Sequence, residues 1–195
     1  MDLHRVKRRA PGAVLCLDPY HIVAWANDAL DQVRRGLWNQ LRGAGKTDQA
    51  AAMKASQWAL VKNPADLTGE QRTTLAHISH TNRGLYCGYL LREQLRAVFE
   101  VKGEQGLSLL AGWIARAARS RLPAFVKLAT TIKRFLPLIR NTIEHGLSNA
   151  RTEATNTHLR LPTRRAYGYH SPQALIAMAM LTRGGLCPPL PGRPA

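Results

Sequence analysis

The sequence predicts a mostly α-helical domain with one short strand near its beginning. Apolar residues recur at three- or four-residue spacing along most of the 195 residues, which is the period of amphipathic helices. One run, residues 13–17, has instead the length and β-branched content of a buried strand, and it ends at Asp18 and Pro19. Because a lone strand cannot satisfy its own backbone hydrogen bonds, this strand requires a sheet that the chain does not supply.

Boundary residues and spacing define the predicted elements in order. The boundary signals are a loop at 42–45, a breaker at Asn63-Pro64, a capping box at Thr68 and Gln71, a kink at Pro137, a cap at Ser148 or Asn149, a limit at Pro162 and an opening at Ser171-Pro172. The predicted helices cover residues 19–35, 48–61, a segment from the capping box, 85–101, 107–119, 125–143, a segment up to Pro162, and a last one ending near 184–185.

Composition divides the chain into three segments. Residues 1–12 are basic, residues 13–185 carry the folded domain, and residues 186–195 form a proline-rich tail that we expect to be disordered. Three cysteines lie far apart without a CxxC pair, which argues against a zinc ribbon and a disulfide framework and suits a reducing cytoplasm. The sequence has neither an eighteen-residue apolar stretch nor a signal peptide, so we expect no membrane insertion.

The charge of the chain indicates a polyanionic partner. Lys and Arg number 28 against 12 Asp and Glu, a formal net charge of +16. Nucleic acid is the first candidate, since neutralising phosphates releases counterions, and an acidic membrane surface is the second. Aromatic residues make up only 6%, which argues against a single-strand binder built on stacked rings.

Two carboxylates are candidates for chemistry. Asp18 ends the predicted strand, where side chains point into the crevice beyond a sheet, but an Asp before Pro is also a good helix N-cap. Glu153 shares one helix face with Asn149, Asn156 and Arg160, which could hold a divalent metal and phosphate. On the pattern alone, an ordinary solvated face is the favoured explanation of the second set.

Other polar and aromatic groups have plausible structural explanations. Two basic clusters are interpreted either as phosphate contacts or as solvated surface. One consists of Arg116, Arg119 and Arg121; the other consists of Arg160, Arg164 and Arg165, near His158. A zinc site at His77, His80 and Cys87 is conceivable, but without an evident fourth ligand a helix surface is favoured. Four tryptophans are interpreted as core residues: Trp25, Trp38, Trp58 and Trp113.

Several segments together resemble the ISL-three group of insertion-sequence DDE transposases. The matching stretches are 17–23 (LDPYHIV), 26–31 (ANDALD), 33–35 (VRR), 58–64 (WALVKNP), 67–68 (LT), 91–96 (LREQLR), 148–156 (SNARTEATN) and 164–169 (RRAYGY). The resemblance runs in family order from about residue 13 to residue 185. It implies a ribonuclease H-like α/β fold, a DDE triad with two Mg²⁺ ions, Asp18 as the second acid, Glu153 as the third, and a helical insertion at about 48–121.

The beginning of the chain departs from the family pattern. The family's first Asp lies on an earlier strand, and the seventeen residues before Asp18 leave no room for it. We therefore expect a truncated ribonuclease H-like domain that keeps one core strand and is inactive on its own. Two hypotheses remain open: a transposase completed by an upstream fragment, and a non-enzymatic DNA-binding remnant. The matching segments argue against a third, an independent basic DNA-binding protein. Besides duplex DNA, the partners to consider are an upstream transposase fragment or further copies in a homo-oligomer.

If the two acids share a two-metal site, they must meet in space. Paired catalytic ions lie roughly 3.5–4 Å apart, so we expect the carboxylates of Asp18 and Glu153 within roughly 10 Å of each other. Asn156 and Arg160 should then face the same crevice, since they lie on Glu153's side of the helix.

The charge also generates a prediction about binding. We expect the chain to bind duplex DNA weakly, with little sequence preference, and with an affinity that falls steeply between low and physiological salt. Titrations of a labelled duplex at several salt concentrations measure this. Salt-independent binding, or none at low salt, would contradict a nucleic-acid role.

Overall fold

The architecture is that of a computed structural model, which describes residue 8 and residues 11–146, 150–165 and 167–183. The chain forms two compact units, Met1–Leu147 and Ser148–Ala195. The predicted mostly helical class is confirmed: regular structure in the described residues is helical throughout.

The first unit contains eight α-helices among its described residues. They are α1 (Pro19–Gly43), α2 (Thr47–Ala55), α3 (Gln57–Val61), α4 (Gly69–Thr81), α5 (Arg83–Val98), α6 (Gly103–Ala118), α7 (Pro123–Arg134) and α8 (Leu136–His145), with a 3₁₀ turn at Pro64–Asp66 after α3. The second unit contains α9 (Ala150–Arg165) and α10 (Pro172–Arg183).

Helix α1 is the longest and lies at the centre of the first unit. Its apolar stripe, from Ile22 through Ala26 to Leu30, is fully buried, because these residues recur at helical spacing and face α5 and α7. Gly88 of α5 lets that helix approach α1 closely, because a Cβ there would lie 3.2 Å from the Leu30 side chain. The helix runs eight residues beyond the predicted end.

One continuous apolar core joins α1 to α5, α6, α7 and α8. Its largest fully buried side chain is Trp113 of α6, whose indole Nε1 donates to the Leu91 carbonyl of α5 at 2.7 Å. Phe125 of α7 is also fully buried. Helices from the range expected to form an insertion therefore share their core with α1, α7 and α8.

A buried arginine joins three helices. Arg92 of α5 donates through Nε to the Asn27 side chain of α1 at 2.8 Å, and its other nitrogens donate to the carbonyls of Val61 and Lys62, where α3 ends. Those carbonyls are left without intrahelical partners by the end of the helix, so the guanidinium satisfies them. Its charge is balanced by Glu93, which also binds Arg96 at 2.9 Å.

Local cap signals predicted the helix starts correctly. Thr68 and Gln71 form the reciprocal capping box of α4, with bonds of 3.4 and 3.1 Å. Pro172 begins α10 after Ser171, as predicted. The proposed cap at Ser148 or Asn149, the helix end near 184–185, most of the basic segment 1–12 and the tail 186–195 lie outside the described residues.

Three helix predictions need correction. The helix over 48–61 is two helices, because buried Ser56 turns its hydroxyl onto the Met53 carbonyl at 2.8 Å, a local bond that competes with the helix ladder. The kink at Pro137 is a full break at Phe135. Pro162 does not end α9, which continues to Arg165 while the Thr163 hydroxyl donates to the Leu159 carbonyl in the same turn.

The predicted strand does not form within the described part of the chain. Residues 13–18 have no regular secondary structure, and their backbone is bound by α8 instead of by a second strand. A strand exists only with a ladder partner, and the described residues contain none. The strand predicted at residues 13–17 is thus an irregular segment in this structure.

The four tryptophans predicted to lie in the core differ in how far they are buried. Trp113 is core, and Trp25 packs its ring against Phe135 at 5.8 Å between centroids. Trp38 is half-buried beneath the Arg42 guanidinium, 4.7 Å from the ring centroid. Trp58 is 62% exposed, so its assignment to the core is wrong. Helix α3 has only five residues, and its buried side is occupied by Ala59 and Leu60.

Two glycines of α6 test the close packing against α8. A Cβ at Gly106 would lie 2.5 Å from the Val101 carbonyl oxygen and 2.7 Å from Ile143, whereas at Gly112 it would meet only the mobile end of Arg116 at 3.4 Å. We expect Gly106→Ala to lower the free energy of unfolding by about 1–3 kcal/mol. Gly112→Ala should raise it by about 0.5–1 kcal/mol through helix propensity. Urea unfolding measures both; equal effects would contradict the assigned contact.

Candidate catalytic carboxylate and basic surfaces

Asp18 is held at the N-terminus of α1. Its Oδ1 accepts a hydrogen bond from the Tyr20 amide at 2.8 Å, so the predicted N-cap is present, with Pro19 in the first turn. The other oxygen, Oδ2, lies 4.0 Å from His21 Nε2, and the side chain is 33% exposed. A partly exposed carboxylate with one oxygen fixed by the backbone has the donor chemistry of a Mg²⁺ ligand.

The segment before Asp18 is anchored on α8. The buried Thr142 hydroxyl accepts from the Leu17 amide at 3.0 Å and lies 2.7 Å from the Leu17 carbonyl, and Asn141 Nδ2 donates to the Leu15 carbonyl at 2.8 Å. Leu15 and Leu17 are two residues apart, the spacing at which an extended chain presents one edge. Side chains of α8 thereby hold the edge that a neighbouring strand would otherwise hold.

Cys16 lies between these two anchored residues. Burial raises the pKa of its thiol above the ordinary value, and a hydrogen bond with Thr142 offsets part of that rise. The thiol is therefore neutral at physiological pH, and the anchor carries no charge beside Asp18.

The other predicted acid belongs to the second unit. Glu153 lies in the first turns of α9, and Asn156 and Arg160 follow on the same helix with exposed side chains. The side chain of Glu153 and the whole of Asn149 are outside the described part of the structure. The predicted meeting of Glu153 with Asp18 stays a prediction.

The first basic cluster is exposed at the end of α6. Arg116 Nε donates to the Gln94 side chain at 3.0 Å, and Arg119 Nε donates to the Ala115 carbonyl of its own helix at 3.1 Å. Arg121 occupies the loop before α7 in the left-handed conformation, with φ of 59°. Each guanidinium thus keeps donors for a further acceptor.

In the second cluster Arg160 and Arg164 are exposed on α9, whereas the side chain of Arg165 lies outside the described residues. His158, which the sequence places near this cluster, is also exposed on α9. Both described arginines are free to meet solvent or an anion.

The zinc hypothesis gains no support from the described residues. His77 and His80 are exposed on α4, and Cys87 is a half-buried free thiol on α5. Among described side chains, no group of three or more His, Cys, Asp or Glu is close enough to hold a metal ion. Asp18 is therefore a single candidate ligand whose site needs carboxylates from outside this set.

Comparison with known proteins identifies the family. Residues 3–179 match a family described as Transposase, of the DDE type and the ISL-three group. The chain belongs to this transposase family. The match spans both predicted acids, Asp18 and Glu153, and both basic clusters.

Relatives of the chain carry the same description. It is 47% identical over 207 residues to the transposase for insertion sequence element IS1557 of Mycobacterium tuberculosis, covering 96% of this chain and 47% of the relative. It is 29% identical over 168 residues to the transposase for IS1001 of Bordetella parapertussis, covering 84% of this chain and 40% of that relative. The chain thus spans about half the length of the curated relatives it matches. No solved structure gives a significant match.

Two sets of structurally important side chains in this family member were not identified from the sequence. Thr142 and Asn141 fix the segment before Asp18, yet nothing local marks them among the polar residues of an amphipathic helix. Arg92 lies in the 91–96 segment that resembles the family, but nothing in that segment indicates that Arg92 is buried.

Among the described helices, none is both long and apolar enough to cross a membrane.

The anchor generates a prediction for the family member. Thr142→Val replaces the hydroxyl by a methyl group of similar size, so the Leu17 carbonyl loses a partner and its amide keeps only a longer bond, 3.3 Å, to the Leu138 carbonyl. We expect the free energy of unfolding to fall by about 1–3 kcal/mol and the Leu17 amide to exchange faster.

Thr130→Val is the matched control, because that exposed hydroxyl bonds only the Val126 carbonyl of its own helix. It should change stability by less than about 0.5 kcal/mol. Urea unfolding and hydrogen exchange followed by NMR measure both variants. Unaltered exchange at Leu17 in Thr142→Val would show that the anchor does not hold the segment.

Proposed function

We propose that this chain acts in DNA transposition, by metal-dependent cleavage and strand transfer of phosphodiester bonds. The observation that carries the proposal is the family match over residues 3–179, which includes Asp18 and Glu153. Asp18 and Glu153 are two of the carboxylates of a two-Mg²⁺ site in this proposal. The metal pair supplies activation of a water or 3′-hydroxyl and stabilisation of the leaving oxygen.

The contribution of Asp18 is positional. Capping the Tyr20 amide through Oδ1 fixes the plane of the carboxylate, and the Thr142 anchor fixes the backbone that carries it. A ligand held in this way loses little conformational freedom when it binds an ion. In this proposal Asn149 and Asn156 support Glu153; Asn156 is exposed on α9, and Asn149 lies outside the described residues.

Arginines hold the DNA. Arg116, Arg119 and Arg121 of the first unit and Arg160, Arg164 and Arg165 of the second contact phosphates, which positions a duplex without reading its sequence. Exposure of the five whose side chains are described supports this role.

A further transposase segment completes the catalytic domain. The anchored edge of residues 13–17 faces α8, while the backbone groups of Val14 and Cys16 make no backbone hydrogen bond with described residues. In an extended chain these groups point to the opposite side. We propose that a strand from another transposase segment pairs there and brings the remaining acid.

The second candidate function is DNA binding without catalysis. The net charge of +16 favours it directly, and it needs no completed carboxylate set. Metal binding at Asp18 and Glu153 separates the two functions.

Paramagnetic broadening by Mn²⁺ tests the proposed site. Amide NMR signals next to Asp18 and around Glu153 in α9 should broaden together, and Mg²⁺ should reverse this. Asp18→Asn keeps the cap, because Asn caps helices as well as Asp, but should abolish both effects. Broadening confined to other acids such as Asp48, and unchanged in Asp18→Asn, would contradict the shared site.

Strand transfer supplies the activity test. With element-end DNA and a segment that provides the remaining acid, we expect Mg²⁺-dependent joining that falls at least about 100-fold in Asp18→Asn and in Glu153→Gln, since weaker perturbations of metal sites already cost 10–100-fold. Joining that survives both substitutions would exclude these residues as metal ligands.

A further inference from the structure

Positive charge is unevenly distributed in the first unit. Residues 11–104 contain eleven Lys and Arg against nine Asp and Glu, which is close to balance. Residues 105–143 contain seven Lys and Arg and no acidic residue at all. All seven are exposed: Arg116, Arg119, Arg121, Lys127, Lys133, Arg134 and Arg140.

Helix α7 carries three of these cations on its solvent-exposed side, and Lys127, Lys133 and Arg134 together are called the α7 basic face. Lys127 and Arg134 are seven residues apart and lie on the same side of the helix, about 10 Å apart along its axis, whereas Lys133 lies about 100° around the axis from Arg134, on the flank of the exposed side. The opposite side is fixed in the core by Phe125, Ile132 and their neighbours. The face therefore cannot rotate away from solvent.

The α7 basic face has no acidic partner among the described residues. The ion pairs of the first unit involve other cations, and the guanidinium of Arg134 lies over the Phe135 ring, 4.7 Å from its centroid. Lys133 and Arg134 also interact favourably with the helix C-terminus, but Lys127 lies outside the last turn, where the macrodipole gives a cation no such stabilisation. Helix electrostatics therefore do not explain the whole set.

We propose that the α7 basic face binds the phosphate backbone of duplex DNA. The inference rests on the proposed function for the identity of the partner, and it adds a surface that is separate from the arginines already assigned. Like charges grouped without acids repel one another, and a polyanion removes that cost while releasing its counterions.

The chemistry of the face favours a duplex over other polyanions. Its apolar side is buried in the core, so α7 cannot insert into a lipid surface as an amphipathic membrane helix does. The exposed positions of α7 carry no aromatic ring on which single-stranded bases could stack. Exposed cations spaced along one packed helix can contact neighbouring phosphates of a double helix.

Charge-matched variants test the proposal. One variant carries Lys127→Gln, Lys133→Gln and Arg134→Gln; the control carries Lys46→Gln, Lys54→Gln and Arg72→Gln, which removes the same charge from exposed positions in the balanced part of the first unit. Fluorescence anisotropy with a 30-base-pair duplex of arbitrary sequence gives affinity as a function of salt.

We expect the α7 variant to bind roughly tenfold more weakly and to lose about 3 from the slope of log affinity against log salt, and the control to lose less than about 1. Equal losses in both variants would show a net-charge effect and overturn the proposal. An unchanged α7 variant would overturn it while leaving the proposed function standing; absence of DNA binding by the unsubstituted chain would overturn both.

Lysine acetylation of the unsubstituted chain gives a readout that does not depend on how the variants fold. Duplex DNA should protect Lys127 and Lys133 more than Lys46 and Lys54. Equal protection of the four lysines would contradict the assigned surface. So would an α7 variant that keeps its DNA affinity but loses binding to vesicles containing phosphatidylserine, because that result assigns the face to a membrane.

Discussion

The position of α1 depends on the buried guanidinium of Arg92. From α5 it reaches the Asn27 side chain of α1 and the carbonyls of Val61 and Lys62 at the end of α3, so one side chain ties three helices. A buried charge is costly unless it is paired and fully hydrogen-bonded, and here Glu93 and the helix-end carbonyls meet both conditions. Removing the guanidinium would leave three acceptors without a donor, which makes this contact more specific than the apolar packing around it.

From α1 the same constraint extends to the candidate catalytic acid. Asp18 caps the helix that Arg92 positions, and Thr142 and Asn141 of α8 hold the segment that leads into it. The carboxylate is thus held from two sides by elements that share one core. Capping and metal binding are compatible, since Oδ1 serves the Tyr20 amide while the side chain remains partly exposed.

The success of sequence reasoning followed the range of each interaction. Asp18-Pro19, Thr68 with Gln71, and Ser171-Pro172 opened helices where predicted, because caps involve residues at most three positions apart. The prediction of a strand at 13–17 was wrong for the described chain, because the backbone of this segment is bound by Thr142, 125 residues beyond Leu17. Exposure of Trp58 likewise depends on how a five-residue helix meets its neighbours. For the site, the sequence could place Asp18 and Glu153 on their elements through the family resemblance, but no local pattern relates two residues so far apart.

The distribution of ion pairs explains why so basic a chain can fold and still present positive charge. Two acids in the balanced part of the first unit each bind two arginines: Asp31 binds Arg34 and Arg35, and Glu93 binds Arg92 and Arg96. Two of these arginines, Arg34 and Arg92, are buried, so their pairs neutralise charge where water cannot screen it. Residues 105–143 contain no acidic residue, and all of their cations are exposed, where desolvation costs little. Core formation and anion binding therefore use different parts of one sequence: Asp31 and Glu93 neutralise buried arginines on the α1–α5 side, whereas the cations of α7 have no acidic partner among the described residues and are suited to a polyanion.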